Sequence, residues 1–145
     1  MDPDQRVETL SEAECRRLLG TVPLGRVVYT EHALPAVLPV AFRVAPDGRL
    51  VLALRSDSTT ARALDGTVAA FQADLLDPEH RAGWSVLVHG RTELVRDRAE
   101  LAELLRDGPR PWVGGQTPVY AVLTPELIGG RRLDAAPAGV GPEPS

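Results

Sequence analysis

A chain of 145 residues, with 43% apolar and 25% charged side chains, has the size and make-up of one soluble globular domain able to bury its own core. Its net charge of −4 excludes a global basic field for nucleic acid, and its single cysteine, Cys15, excludes an internal disulfide or a cysteine-built zinc site. No run approaches the roughly 18 apolar residues of a membrane span, and the polar, acidic start from Met1 to Glu8 is no signal peptide. The expected setting is the cytoplasm, with no nucleic-acid and no membrane partner.

The first expected element follows a flexible segment over residues 1–9. Ser11-Glu12-Ala13-Glu14 has the form of a capping box, in which the Ser11 hydroxyl accepts from the Glu14 N–H and the Glu14 carboxylate reaches back to the Ser11 N–H. Leu18 and Leu19 continue a short helix that Gly20 stops. Gly25 to Thr30 is β-branched and aromatic, hence a strand. Ala36 to Val44 is a second strand, with Pro35 and Pro39 marking its start and an edge or bulge. Pro46-Asp47-Gly48 turns the chain into a third strand, Arg49 to Arg55.

Ser56 to Leu64 reads as a hydroxyl-rich helix N-terminus. Thr67 to Asp74 is a fourth strand, and Asp77-Pro78-Glu79 a polar connection. Trp84 to Val95 is the longest β run, broken by His89-Gly90. Arg98 to Arg106 is a helix. Pro109 to Pro118 is an irregular loop holding Trp112. Val119 to Leu123 is a strand, and Leu127 to Leu133 continues or follows it. From Asp134 to Ser145 the Ala, Pro and Gly composition predicts a disordered tail, leaving residues 10–133 as the domain. The short hairpin links favour an antiparallel sheet, and six or so strands in so small a chain must close into a barrel or stack as a sandwich.

All 16 basic residues are arginine, so an anion site here must use arginine, hydroxyls or backbone N–H groups. The segment from Leu54 to Arg62 offers all three: Arg55 and Arg62, the hydroxyls of Ser58, Thr59 and Thr60, and a helix N-terminus. Taken alone it reads first as an ordinary helix cap with solvated arginines, because such caps are common. Trp84 reads either as a core or interface anchor or as a wall of a planar-ligand pocket. His32, His80 and His89 are scattered, with no metal-ligand spacing. Hydrolase, Walker and dinucleotide motifs are missing. Any catalysis therefore needs a cofactor to supply the chemistry.

The series LSEAECRRLLGTVPLGRVVY, PAVLPVAF, GRLVLALRSDSTTARAL, VAAFQADLLDPEHRAGWSVLVHGRTELV, RPWVGG and LTPELIGGRRL, running in order from Leu10 to Leu133, resembles the pyridoxamine-5′-phosphate-oxidase-like proteins. It is most similar to the actinobacterial flavin-binding branch related to nitroimidazole-resistance proteins. The resemblance implies a mainly β fold with a few short helices, the FMN-binding split β-barrel, working as a homodimer with flavin mononucleotide at the subunit interface. It puts the flavin phosphate at Arg55, Ser56, Ser58, Thr59, Thr60 and Arg62. It lays the ring along Pro39, Val40, Ala41, Phe42, Leu54, Phe71 and Gln72, with Trp84, Ser85 and Trp112 approaching from the same or the partner subunit.

Two departures from the family pattern stand out. Relatives commonly carry a Ser-Lys pair at the phosphate helix, where this chain has Thr59-Thr60 or Ser58-Thr59, depending on the gap. Many relatives read Pro-Val-Asn-Tyr where this chain reads Pro39-Val40-Ala41-Phe42. On the first alignment, Thr60→Lys is expected to restore a phosphate cation. The implied function is an FMN-dependent oxidoreductase acting on a small molecule. The alternatives are a reductase using deazaflavin F420 on the same barrel, or a non-catalytic barrel that carries a flavin, haem or metabolite. Arg131 and Arg132 are too few for a second arginine-rich phosphate pocket, which argues against pyridoxamine-phosphate oxidation itself.

Overall fold

The computed structural model describes residues 5–56, 58–112, 114 and 117–135. In chain order these form β1 (Gln5–Thr9), α1 (Glu12–Leu19), β2 (Leu24–Glu31), β3 (Leu34–Val44), β4 (Leu50–Arg55), α2 (Thr59–Ala63), β5 (Thr67–Asp77), β6 (Ala82–Leu94), α3 (Arg98–Asp107) and β7 (Pro118–Ala135). The strands make one antiparallel sheet in the order β1-β7-β4-β3-β2-β5-β6. A further β6–β7 ladder closes strands two to seven on themselves. The result is a six-stranded barrel with β1 added at the far end of β7. Closure removes most exposed strand edges, which is how a short β chain avoids edge-to-edge association.

Alternation along the strands sorts the side chains. Val40 and Phe42 of β3, Leu50, Leu52 and Leu54 of β4, and Ala121 and Leu123 of β7 point into the barrel. There they meet Val27, Phe71, Val86 and Val88, and the Phe42 and Phe71 rings lie 4.6 Å apart. The residues between them, Ala41, Val51, Ala53, Tyr120 and Val122, face outward and cluster with Leu104 of α3 and with Leu24, Val95, Leu101 and Leu105. This explains why β4 is apolar on both faces: one lines the core and the other supports a helix. Cys15, Leu18 and Leu19 of α1 join the inner core. Gly25 is required by close packing, since a Cβ there would sit 2.2 Å from the Phe71 ring.

The helix caps match expectation in part. Ser11 Oγ accepts from the Glu14 N–H at 3.1 Å. The reciprocal half of the capping box does not form, because the Glu14 carboxylate is held by Arg17 at 2.8 Å and Arg132 at 3.0 Å. Those partners keep Glu14 below the ordinary carboxylate range, the Arg17 hydrogen bond foremost.

Three expectations are corrected. Gln5–Thr9 are not a free segment but a strand paired with Arg131–Ala135. The tail expected from Asp134 does not start there, because Asp134 and Ala135 end the 18-residue β7 and pair with Arg6 and Gln5, while Leu127–Leu133 continue the strand from Val119 as one of the two expected readings had it. His89-Gly90 does not break β6; the strand continues through a register shift against β7. Gly90 permits that shift, since a Cβ would lie 2.0 Å from the Thr124 carbonyl. The β2–β3 turn carries His32 and Ala33 at φ of 52° and 64°, a two-residue left-handed turn without the usual Asn or Gly signal. The rest of the expected tail, beyond Ala135, lies outside the described residues. Among the described residues no helix is long and apolar enough to cross a membrane.

Candidate functional site

The β3–β4 ladder runs only from Val44–Leu50 to Ala41–Ala53. Beyond it β3 continues toward Leu34 paired with β2, whereas β4 ends at Arg55 and the chain turns into α2. Pro35 and Pro39 are tolerated because this half of β3 has β2 on one side and no β4 ladder on the other. A cavity of about 510 Å³ lies at this divergence. Its walls come from Leu24 of β2, Leu38–Ala41 of β3 and Ala53–Arg55 of β4. Ser58, Thr59, Pro111 and Trp112 complete it.

The facing pair Ala41 and Ala53 makes a low floor, because neither side chain rises far above the backbone. One end carries Arg55 and the hydroxyls of Ser58 and Thr59, and Arg55 is the single charged residue among the described lining. The Ser58 hydroxyl accepts from the Thr60 N–H at 3.0 Å and can still donate. α2 has five residues, so its dipole adds little and the anion-binding capacity rests on the guanidinium and hydroxyls. Trp112, 82% exposed, also lines a second cavity of about 350 Å³ that shares Leu24 and Ala41 with the first.

Of the residues singled out from the sequence, the cavity gathers Val40, Ala41, Leu54, Arg55, Ser58, Thr59 and Trp112. Others lie elsewhere within one chain. Phe42, Phe71 and Trp84 are buried in the barrel core. Thr60 is only 4% exposed and shares a 2.8 Å hydrogen bond with the Tyr29 hydroxyl, so it turns inward while Thr59 faces out. Ser56 and Arg62 are exposed and outside the lining.

Gln72 and Ser85 line a separate groove on the β5–β6–β7 face, together with Leu87, His89, Leu127 and Arg131. The Gln72 amide donates to Ser85 and Asp74, and accepts from Arg26 through its oxygen. Leu24, Leu38, Ala53 and Pro111 were missed from sequence. The small residues alternating with large ones in Leu52-Ala53-Leu54 and Val40-Ala41-Phe42 were the available signal. They give a flat outer face over a filled interior.

No carboxylate, histidine or cysteine lines the cavity among the described residues. The expectation of no histidine at ligand spacing is corrected at one place. Asp77, Glu79 and His80 bring ligand atoms within 4.8 Å of one another, all three exposed. There the Asp77 carboxylate accepts from the Glu79 and His80 N–H groups and meets the His80 ring at 2.5 Å. The His80 bond foremost draws Asp77 below the usual carboxylate range.

The cavity's two ends, one apolar and flat and one bearing hydroxyls and an arginine, fit a planar ligand with an anionic tail. Known proteins resemble the chain in sequence and fold. An uncharacterized protein of Mycobacterium tuberculosis is 38% identical over 136 residues, covering 90% of this chain and 88% of that one. The solved structure of the FAD binding protein from Mycobacterium smegmatis matches at a TM-score of 0.68 and 28% identity, over 88% of this chain and 98% of that chain. A Corynebacterium glutamicum structure, named as a candidate pyridoxamine 5′-phosphate oxidase, matches at a TM-score of 0.73 and 27% identity, over 94% and 98%. The sequence profile described as pyridoxamine 5′-phosphate oxidase matches residues 11–132, and the chain belongs to that family.

Proposed function

We infer that the cavity beside the β3–β4 split holds a flavin, with FMN as the cofactor, and that the protein is an FMN-dependent oxidoreductase acting on a small molecule. The observation that carries this reading is the alanine floor ending against Arg55, Ser58 and Thr59. The apolar part suits the flavin ring and the polar end its phosphate. A volume of about 510 Å³ lies within the usual range for small-ligand sites. Pro39, Val40, Ala41, Leu54 and Trp112 would bound the ring, while Arg55, Ser58 and Thr59 would hold the phosphate. Bound flavin supplies hydride or electron transfer, and the chain's own residues bind, orient and shield it.

The cavity is open, and the barrel's outer surface carries exposed Val37, next to the lining residue Leu38, and exposed Leu87 and Leu127 at the β6–β7 groove. Apolar residues left on an outer sheet face mark an association surface. A second copy of the chain would cover this face and complete the ring's enclosure, so the working unit is a homodimer with the flavin between subunits. FAD is the second reading. It is favoured by the Mycobacterium smegmatis FAD binding protein and by the position of Arg55 at an exposed end, where a second phosphate could continue.

The test is a visible absorption spectrum of freshly purified protein, chromatographic identification of any released flavin, and sedimentation. Oxidised FMN on a species of twice the 15.6 kDa chain mass is expected. Arg55→Gln should weaken FMN by about tenfold or more while changing riboflavin little, because one charge-assisted bond to phosphate is lost. A deazaflavin or haem spectrum, or no binding of FMN, FAD or riboflavin by the apo-protein, would overturn the reading.

A further inference from the structure

We propose that Arg110 is a positioning residue whose guanidinium sets the Pro111–Trp112 wall of the cavity, so that ring binding depends on a side chain outside it. The inference rests on the flavin reading above. Arg110 does not line the 510 Å³ cavity, yet it immediately precedes the two residues that close its rim. Its guanidinium donates to the carbonyls of Leu104 at 3.2 Å, of Leu105, and of Arg106 at 3.5 Å. Those carbonyls belong to the last turn of α3, where Leu104 also accepts from the Gly108 N–H at 2.7 Å and a cation meets the negative end of the helix.

The same group donates to the Tyr120 hydroxyl at 2.6 Å. Tyr120 is fully buried in β7, and its hydroxyl reaches the Leu104 carbonyl at 3.0 Å and the Pro109 carbonyl at 2.9 Å, sharing its one proton between them. Arg110 therefore ties three things together: the end of α3, the barrel strand β7, and the start of the rim.

The consequence falls on Trp112. At 82% exposed it has little packing of its own to fix it. It also stands between the two cavities, lining both. The chain on its N-terminal side is anchored through Arg110 to α3 and β7. Pro111 has a fixed φ and transmits the placement of Arg110 with little loss. A planar fork with five donors can serve several acceptors at once, which lysine cannot reproduce.

The experiment is a double-mutant cycle on the full-length protein, read by FMN titration of the apo-form and by the visible circular dichroism of the bound flavin. Trp112→Ala should weaken FMN by about tenfold, the scale of one lost aromatic contact with its buried area, and should alter the flavin dichroism. Arg110→Gln should reproduce both changes. The double variant should be no weaker than Trp112→Ala alone, because Arg110 acts through that indole. If Arg110→Gln does not fold, Tyr120→Phe cuts one tether and is read in the same cycle. Losses that add in the double variant, or an Arg110→Gln protein with unchanged affinity and dichroism beside an impaired Trp112→Ala, would overturn the positioning role. An unchanged Trp112→Ala would instead overturn the placement of the ring against this wall.

Discussion

Lysine introduced at neighbouring positions of α2 gives opposite outcomes. Thr59 is exposed and lines the cavity, so Thr59→Lys adds a cation facing the proposed phosphate. Two unit charges about 4 Å apart interact by about 1 kcal/mol in water and about 4 kcal/mol at a protein surface. With an exposed side chain the lower part of that range applies, and FMN should tighten by about five- to tenfold at low salt. Thr60 is a different site. Its hydroxyl is buried against Tyr29 at 2.8 Å, so Thr60→Lys removes a hydrogen bond and forces an ammonium into the core.

Those two terms together cost about 3 kcal/mol or more, which lowers the melting temperature by about 10 °C in a domain of this size. The sequence-based expectation that Thr60→Lys restores a phosphate cation is thereby withdrawn in favour of Thr59. The assay is titration of apo-protein with FMN and riboflavin at low and high salt, beside thermal melts. Thr59→Lys should favour FMN alone, and the gain should fade with salt. Equal gains for both ligands would place the phosphate elsewhere. Tighter FMN binding by Thr60→Lys at an unchanged melting temperature would refute the burial reasoning.

Three further outcomes follow from packing and charge. Gly25→Ala should destabilise the fold by about 1–3 kcal/mol in denaturant titration, since its Cβ meets both the Phe71 ring and the Gln72 backbone; an unchanged midpoint would mean that the strands separate freely there. Asp65 is drawn below the ordinary aspartate value by its bond to Arg96 and by the Leu94 N–H. A carboxyl lowered in the folded state stabilises above its unfolded value and loses that contribution as pH falls through its folded one. Asp65→Asn should therefore flatten the acid limb of the stability curve and leave the alkaline limb alone. Cys15 is fully buried, and burial pushes its thiol up. It should resist alkylation until the chain unfolds, and labelling of the native protein at the rate of a free thiol would show that α1 undocks.

Much of this fold was readable because its causes are local. Ser11 caps α1 because a hydroxyl three residues before an N–H can accept from it. Asp47-Gly48 turns between β3 and β4 because glycine tolerates the φ of 90° found there. The Pro46-Asp47-Gly48 turn between two apolar runs announced β3 and β4. What remained hidden depends on partners distant in sequence. Gln5–Thr9 are polar enough to pass for a loose terminus and become a strand only because Arg131–Ala135 offer a ladder edge.

The site divides in the same way. A hydroxyl run beside Arg55 signalled an anion-binding end. One residue of helix rotates a side chain by about 100°, however, and threonine suits a rim as well as it suits a buried bond to tyrosine. Only the Tyr29 hydroxyl, brought close by the β2–α2 packing, decides that Thr60 faces the core and Thr59 the cavity. Likewise Ala41 and Phe42 are interchangeable candidates on paper. Which of them meets a ligand is set by the barrel's closure, because closing the sheet determines which face is inside.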